Sequence, residues 1–353
     1  MQAANNPESL NDRLYPLCEM RDCTDLRVGI LSIREKWERI MGAAALVSGQ
    51  EITILHENER LVLPGNSLPD HDFALRWEQA GCPMDSSHAV FRSLPQIMYP
   101  WEIVQLNDRA IREDFELLTR DRKSMPLPAT VQVVAPEWVF LEEGAELNFV
   151  TINARSGPVY IGKNVQIMEG CLIRGPVSIA DNSVLKMGTR IYGASSIGPN
   201  CTIGGELKNV VLLGNSNKAH DGYLGDSVIA EWCNLGAGCS NSNVKNSAGP
   251  VRVWNPKLEA YSNAGFKSGL LMGDYSRAAI NTAFNTGTVV GICANVFGSG
   301  LTPAFIPDFS WGSSGDVKYE FSKALRDIAN WKKLKNKALD EAEIQRLKSI
   351  FER

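Results

Sequence analysis

Aliphatic side chains recur every six positions through the middle of the chain, at Ile161, Ile167, Ile173, Ile179, Leu185, Ile191, Ile197 and Ile203. A helix repeats its apolar face every 3.6 residues or so and a half-buried strand every second residue, so neither explains a period of six. Four positions after each aliphatic comes a small or thin residue: Val165, Cys171, Val177, Ser183, Thr189, Ser195 and Cys201. Gly162 and Gly198 follow their aliphatics directly, and Gly170, Gly175, Gly188 and Gly193 crowd the remaining turns. This is the hexapeptide pattern of a parallel β-helix. Three hexapeptides make one triangular coil, with the aliphatic pointing into the prism and the small residue facing inward near a corner. Glycine and asparagine permit the left-handed backbone that corners need, and coils stack at about 4.8 Å.

The register slips after Ile203, because the next sixth position is Asn209, which fills an apolar interior only at a cost. Order returns at Leu224, Ile229 and Leu235, so His220 stands where the repeat pauses. From Ser247 a second interruption alternates as Val251-Arg252-Val253-Trp254 before an Asn255-Pro256 turn and Tyr261, which predicts a protruding hairpin. The ends follow other rhythms. Phe321, Leu325, Ile328 and Trp331 are spaced as on a helix, and Asp340 with Glu343 forms a capping-box start for a last helix. The front reads as mixed α/β: an apolar segment into a helix at "DLRVGILSIREKWERIMG", strands at "EITILHENERLVLP", and a charged amphipathic helix at "NDRAIREDFELLTRDR". The expected organisation is an α/β domain over residues 1–130, a β-helix over 131–312 and helices over 313–353, mainly β in class.

Composition narrows the functional classes. The formal net charge is -4 over 353 residues, which supplies no general basic face for nucleic acid or anionic membrane. No apolar run is long enough for a transmembrane helix, and "MQAANNPESLNDR" lacks the apolar core of a secretory signal. The eight cysteines are scattered without a CxxC pair, the pattern of reduced, mostly buried thiols in a cytoplasmic protein. No metal site is expected.

Candidate chemistry clusters around the slip. Arg190 and Lys208 are 18 positions apart, one full coil, so they are expected to stack near one corner. Two cations so close repel unless an anion joins them. They mark a phosphate site or are two solvated surface charges. His220, twelve positions on, is a general base near neutral pH or a hydrogen-bonded residue at a kink. Asp221 and Asp226 are orienting carboxylates or turn residues. Tyr223 is a sugar contact or a polar-tipped packing residue. Asn234, Asn241, Asn243 and Asn246 form an amide-rich patch.

"KAHDGYLGDSVIAEWCNLGAGCSNSN" resembles the acetyltransferase half of the bifunctional bacterial enzyme that makes UDP-N-acetylglucosamine. That family's motif runs Lys-Ala-Gly-His-x-x-Tyr-x-Gly-Asp, then Asn-x-Gly-Ala-Gly-Thr, then Asn. The match takes in Lys218, His220, Tyr223, Gly225, Asp226, Asn234, Gly236, Ala237, Gly238 and Asn243. The whole chain is similar to GlmU-like sugar nucleotidyltransferases, through "LYPLCEMRDCTDLRVGILSIREKW", "YPWEIVQLNDRAIREDF", "INTAFNTGTVVG" and "FIPDFSWG". The resemblance implies a left-handed β-helix and a homotrimer. It implies acyl transfer from acetyl-CoA or another acyl-CoA to a sugar phosphate or nucleotide sugar. His220 takes the role of general base, Arg190 and Lys208 hold phosphate, and Tyr223, Asn234 and Asn243 contact the sugar. CoA is expected along the solenoid edge near Asn281 and Thr282.

Two alternatives stand beside this. One is Mg²⁺-dependent nucleotidyl transfer by residues 1–130. The other is a non-catalytic, trimeric sugar-nucleotide-binding protein. Arg13 and Leu14-Tyr15-Pro16-Leu17 echo the exit of a nucleotidyltransferase phosphate loop, but the loop's glycines and lysine are missing. In the second half, Val244-Lys245-Asn246 replaces the family's Tyr-Asp-Gly, and its later lysine has only Lys245, Lys257 and Lys267 as neighbours.

Overall fold

Strand Val177–Ile179 pairs in parallel with Val159–Ile161 below it and Ser195–Ile197 above it, each partner one 18-residue coil away. The same step joins Val184 to Gln166 and Thr202. A computed structural model describes residues 9–353, and the six-residue rhythm becomes a left-handed parallel β-helix there. All eight aliphatics of the repeat point inward and are at most 2% exposed. The small positions also face inward, and Ser183 shows how a hydroxyl is tolerated. Its Oγ donates to the Gly198 carbonyl (2.8 Å) and accepts from the Cys201 amide (3.0 Å). Corners at Asn164, Asn182 and Asn200 have φ between +53° and +59°, the left-handed backbone that asparagine adopts more readily than most residues.

The coil shortens at Gly204-Gly205. Leu185 still pairs with Ile203, but Arg190 pairs with Glu206 and Tyr192 with Lys208. Two glycines therefore replace the four residues Lys186–Thr189 of the previous corner. A Cβ on Gly204 would lie 2.4 Å from the Ala219 carbonyl oxygen, and Gly205 has φ +76°, so this tight corner requires both glycines. Asn209 is kept out of the interior at a left-handed position (φ +51°), while Leu207, Val210 and Leu212 fill the prism.

The interruption after Ser247 is an antiparallel hairpin, Arg252–Asn255 with Ala260–Asn263. It separates Val228 from its coil partner Leu271. At the front, a three-stranded antiparallel sheet joins helices Ile33–Met41 and Glu102–Thr119. The front core, with Leu14, Trp37, Ile54 and Phe73, runs without a break into Val211, Val228 and Leu271 on the outside of the solenoid. The C-terminal helices, Phe321–Lys333 and Glu341–Phe351, pack Ile328, Leu347 and Ile350 onto Tyr275, Ile292 and Phe309 of the upper coils. Asp340 and Glu343 form the expected capping box.

Candidate functional site

Strands Leu172–Arg174, Arg190–Tyr192 and Glu206–Lys208 and the start of Tyr223–Ile229 lie side by side in register. Their central residues, Ile173, Ile191, Leu207 and Leu224, are buried in the prism. Alternation then turns the flanking residues outward. One outward row reads Leu172, Arg190, Glu206, Tyr223, and the other reads Arg174, Tyr192, Lys208, Gly225.

This register corrects the expected stacking of Arg190 on Lys208. The 18-residue step ends at the two-glycine corner, before Lys208 is reached. Arg190 instead faces Glu206 across 3.5 Å, and Lys208 Nζ stands 5.7 Å from the centre of the Tyr192 ring. The two cations remain on one sheet face, as diagonal neighbours on adjacent strands. The Tyr192 hydroxyl donates to Glu206 (2.7 Å), and that carboxylate, followed by burial, pushes the phenol's pKa up.

Tyr223 and Asn243 meet at the end of this face. Asn243 Nδ2 donates to the Tyr223 hydroxyl (3.2 Å) and to Asp226, whose other oxygen accepts from Asn209 Nδ2 (3.0 Å). Burial, then the Asp226 charge, pushes the Tyr223 phenol up to about 12, so it stays protonated near neutral pH. Asn241 is structural: it is buried and exchanges hydrogen bonds with the Gly225 amide and carbonyl.

His220 occupies the corner between Asn217–Lys218 and Tyr223–Ile229, exposed to solvent. Its imidazole makes no hydrogen bond or ion pair among the described residues. Neither Asp221 nor Asp226 orients it. Asp221 is exposed, and Asp226 is held by the two asparagines. Asn234 lies across the corner from Tyr223 and Asn243. With His220, Asn217, Ile280, Trp331 and Lys335 it lines a second groove of about 610 Å³, between the solenoid and the C-terminal helical segment. Asn281 is exposed two coils above the His220 corner, its amide bonded to the Ala237 carbonyl of the coil between them (2.7 Å). Thr282 is buried, with its hydroxyl on the Ala279 carbonyl of the same corner (2.8 Å). Neither joins the Tyr223 cluster.

Lys218 is the residue that the repeat concealed. It pairs with Ile203 and so takes an inward position, fully buried. Its ammonium donates to the carbonyls of His220, Asp221 (3.1 Å) and Gly204 (3.5 Å). It thereby ties together the corner that presents the imidazole. A lysine in an aliphatic slot of the register is the sequence signal for this. Burial pulls its pKa down to about 8, whereas an unfolded chain holds a lysine near 10.4. Between those values the unfolded state keeps a proton that the folded state has released, so stability contributed by this group rises with pH across that window. The wild-type minus Lys218→Met difference in unfolding free energy is expected to rise from pH 8 to pH 10. A flat difference in urea titrations would overturn this.

Among the described residues, no group of three or more His, Cys, Asp or Glu side chains is placed to hold a metal, and no helix is long and apolar enough to cross a membrane.

Comparison with known proteins gives three kinds of match. Residues 7–75 match a family model described as sugar nucleotidyl transferase. A bifunctional sugar-1-phosphate nucleotidylyltransferase/acetyltransferase of Sulfurisphaera tokodaii is 31% identical over 189 residues, covering 47% of this chain and 47% of that protein. The bifunctional protein GlmU of Nostoc sp. is 29% identical over 166 residues, covering 40% of this chain and 36% of the relative. The chain thus spans less than half the length of these curated relatives. A solved UDP-N-acetylglucosamine acyltransferase of Francisella novicida aligns over 64% of this chain and 87% of its own, at 14% identity. Its TM-score of 0.25 is too low to add to the fold seen directly in the coils. With the family-model match at its front and relatives that pair nucleotidylyltransferase with acetyltransferase, this left-handed β-helix chain resembles the GlmU-like family.

Proposed function

We propose that this chain transfers an acyl group, acetyl first, from acyl-CoA to an amine or hydroxyl of a sugar phosphate or nucleotide sugar. One observation carries the reading: an exposed His220, with no side-chain hydrogen bond among the described residues, lines one groove and stands at the corner that divides it from the sheet face of Arg190, Lys208 and Tyr223. On one side lie the cations Arg190 and Lys208 with Tyr223 and Asn243, suited to a phosphorylated, hydroxyl-rich acceptor. On the other lies the groove of Ile280, Trp331 and Lys335, suited to the thin apolar arm and phosphates of CoA.

In this reading the acceptor heteroatom attacks the thioester carbonyl carbon, and its proton passes to the His220 imidazole. The new bond to carbon forms, the C–S bond breaks, and the imidazolium returns the proton to the departing thiolate. Free thiol released from acetyl-CoA, measured against a panel of amino-sugar 1-phosphates and UDP-linked amino sugars, tests it. No acceptor-dependent thiol release across the panel overturns it.

The assembly proposed is a homotrimer. Met187 (70% exposed) and Ile280 (69%) stand at the same column of corners as His220, apolar surface that a neighbouring subunit would cover. Light scattering is expected to give three times the chain mass of 38.8 kDa, and Met187→Asp with Ile280→Asp to reduce it to one. A monomeric wild type overturns this.

The match over residues 7–75 favours a second reading, nucleotidyl transfer, for which Mg²⁺ would supply neutralisation of the nucleotide's phosphate charge. The segment that echoes the phosphate loop's exit has Leu14 and Leu17 fully buried and Tyr15 bonded to Asp308 (2.8 Å), the arrangement of a packing element. Pyrophosphate release from a sugar 1-phosphate and a nucleoside triphosphate tests this alternative.

A further inference from the structure

The outward face carrying Arg190 does not end there. Leu172 and Arg174 lie one strand further from His220, and Thr151 and Asn153 one strand further still. A groove of about 420 Å³ covers these strands and reaches Glu206. Leu172 is 50% exposed on its floor, and Arg174 is exposed with no ion pair among the described residues. The coil needs neither of them, since its packing uses Ile173 between them.

Strand spacing makes this face a ruler, at about 4.8 Å per strand. From Tyr223 the row reaches Arg190 after two steps, roughly 10 Å, and Leu172 after three, roughly 14 Å. A sugar monophosphate with its reacting atom at the His220 corner ends at Arg190. Leu172, Arg174 and Asn153 would then face only water. Strand by strand away from that corner the face carries Tyr223, then Glu206 with Lys208, then Arg190 with Tyr192, then the apolar Leu172 beside the planar Arg174 guanidinium. A sugar, a diphosphate and a nucleoside follow one another in that order.

Resting on the acyl-transfer reading, we propose that the acceptor is a nucleoside-diphosphate-linked sugar rather than a sugar monophosphate. Its base lies over Leu172 with the Arg174 guanidinium stacked or bonded at its edge. Glu206, already held by Arg190 and Tyr192, accepts from sugar hydroxyls instead of opposing the diphosphate.

Calorimetric titration of the full chain with UDP, TDP, CDP, ADP and GDP, and separately with glucosamine 1-phosphate, tests this. At least one nucleoside diphosphate is expected to bind more tightly than glucosamine 1-phosphate. Arg174→Ala and Leu172→Asp are each expected to weaken it tenfold or more, while Lys163→Ala, on an exposed corner outside the groove, changes nothing. Two results overturn the proposal: no nucleoside diphosphate binding more tightly than the monophosphate, or Arg174→Ala and Leu172→Asp leaving its affinity within twofold. Because binding alone decides the groove, thiol release with glucosamine 1-phosphate leaves the acyl-transfer reading standing when the groove proposal fails.

Discussion

His220→Ala is expected to lower acyl transfer about 100-fold or more, the size of effect that a positioned general base contributes. The loss should fall on kcat and leave KM for the acceptor nearly unchanged, since Arg190, Lys208, Tyr223 and Asn243 remain to hold it. Stability should hardly move, because the imidazole is exposed and makes no hydrogen bond among the described residues. A histidine that merely braced a kink would behave in the opposite way. Its removal would lower the melting temperature and leave the turnover of the remaining folded protein intact. The corner itself is braced by Lys218, whose ammonium gathers the carbonyls of His220, Asp221 and Gly204. The two roles are thus divided between two residues, and His220→Ala separates them. Turnover within a few-fold of wild type, in a variant of unchanged stability, removes His220 from the chemistry.

The interior of the solenoid was legible because each coil repeats the same steric problem. Ile161 through Ile203 occupy equivalent slots, and one substitution pattern serves all of them. The hairpin at Arg252–Asn263 and the capping box at Asp340 were legible for a similar reason, as local patterns with local causes. What failed was arithmetic carried across an irregularity. The apolar register places the slip after Ile203, but Lys208 lies beyond it, so an 18-residue ruler cannot connect it to Arg190. Gly204-Gly205 carried the missing information, since two adjacent glycines at a corner allow it to close with two residues fewer. Lys218 was hidden differently. Its neighbours in the motif drew attention to the imidazole, while its inward slot, one coil above Ile203, made it a structural cation. Asn234 and Asn243 lie nine positions apart on one motif, yet a corner separates them into different grooves. Sequence spacing alone does not show on which side of a corner a side chain falls.

Breaking the Arg21–Asp274 pair is expected to cost about 3–5 kcal/mol, the range for removing one partner of a buried ion pair. The guanidinium meets both carboxylate oxygens, at 2.5 and 3.0 Å, with side chains 11% and 1% exposed. Arg21 also donates to the Leu17 carbonyl (3.2 Å), and Asp274 accepts from the Glu231 amide (3.0 Å). Although burial alone would lower the arginine's pKa, Asp274 holds it above the ordinary value. The pair fastens the segment around Leu17 to the solenoid, so a stretch inside the sugar nucleotidyl transferase match works here as a clamp. Arg21→Met leaves Asp274 buried without its cation, and Asp274→Asn leaves Arg21 with only the more distant, partly exposed Glu231 (3.8 Å). Either single change should show the full loss in denaturant titration. The double change Arg21→Met with Asp274→Leu removes both buried charges and should recover a large part of it, because Glu231, the other partner of Arg21, is partly exposed and keeps its contact with water. Single variants within 1 kcal/mol of wild type would mean that the clamp rests on the shared apolar core of Leu14, Leu17 and Val211 rather than on the ion pair.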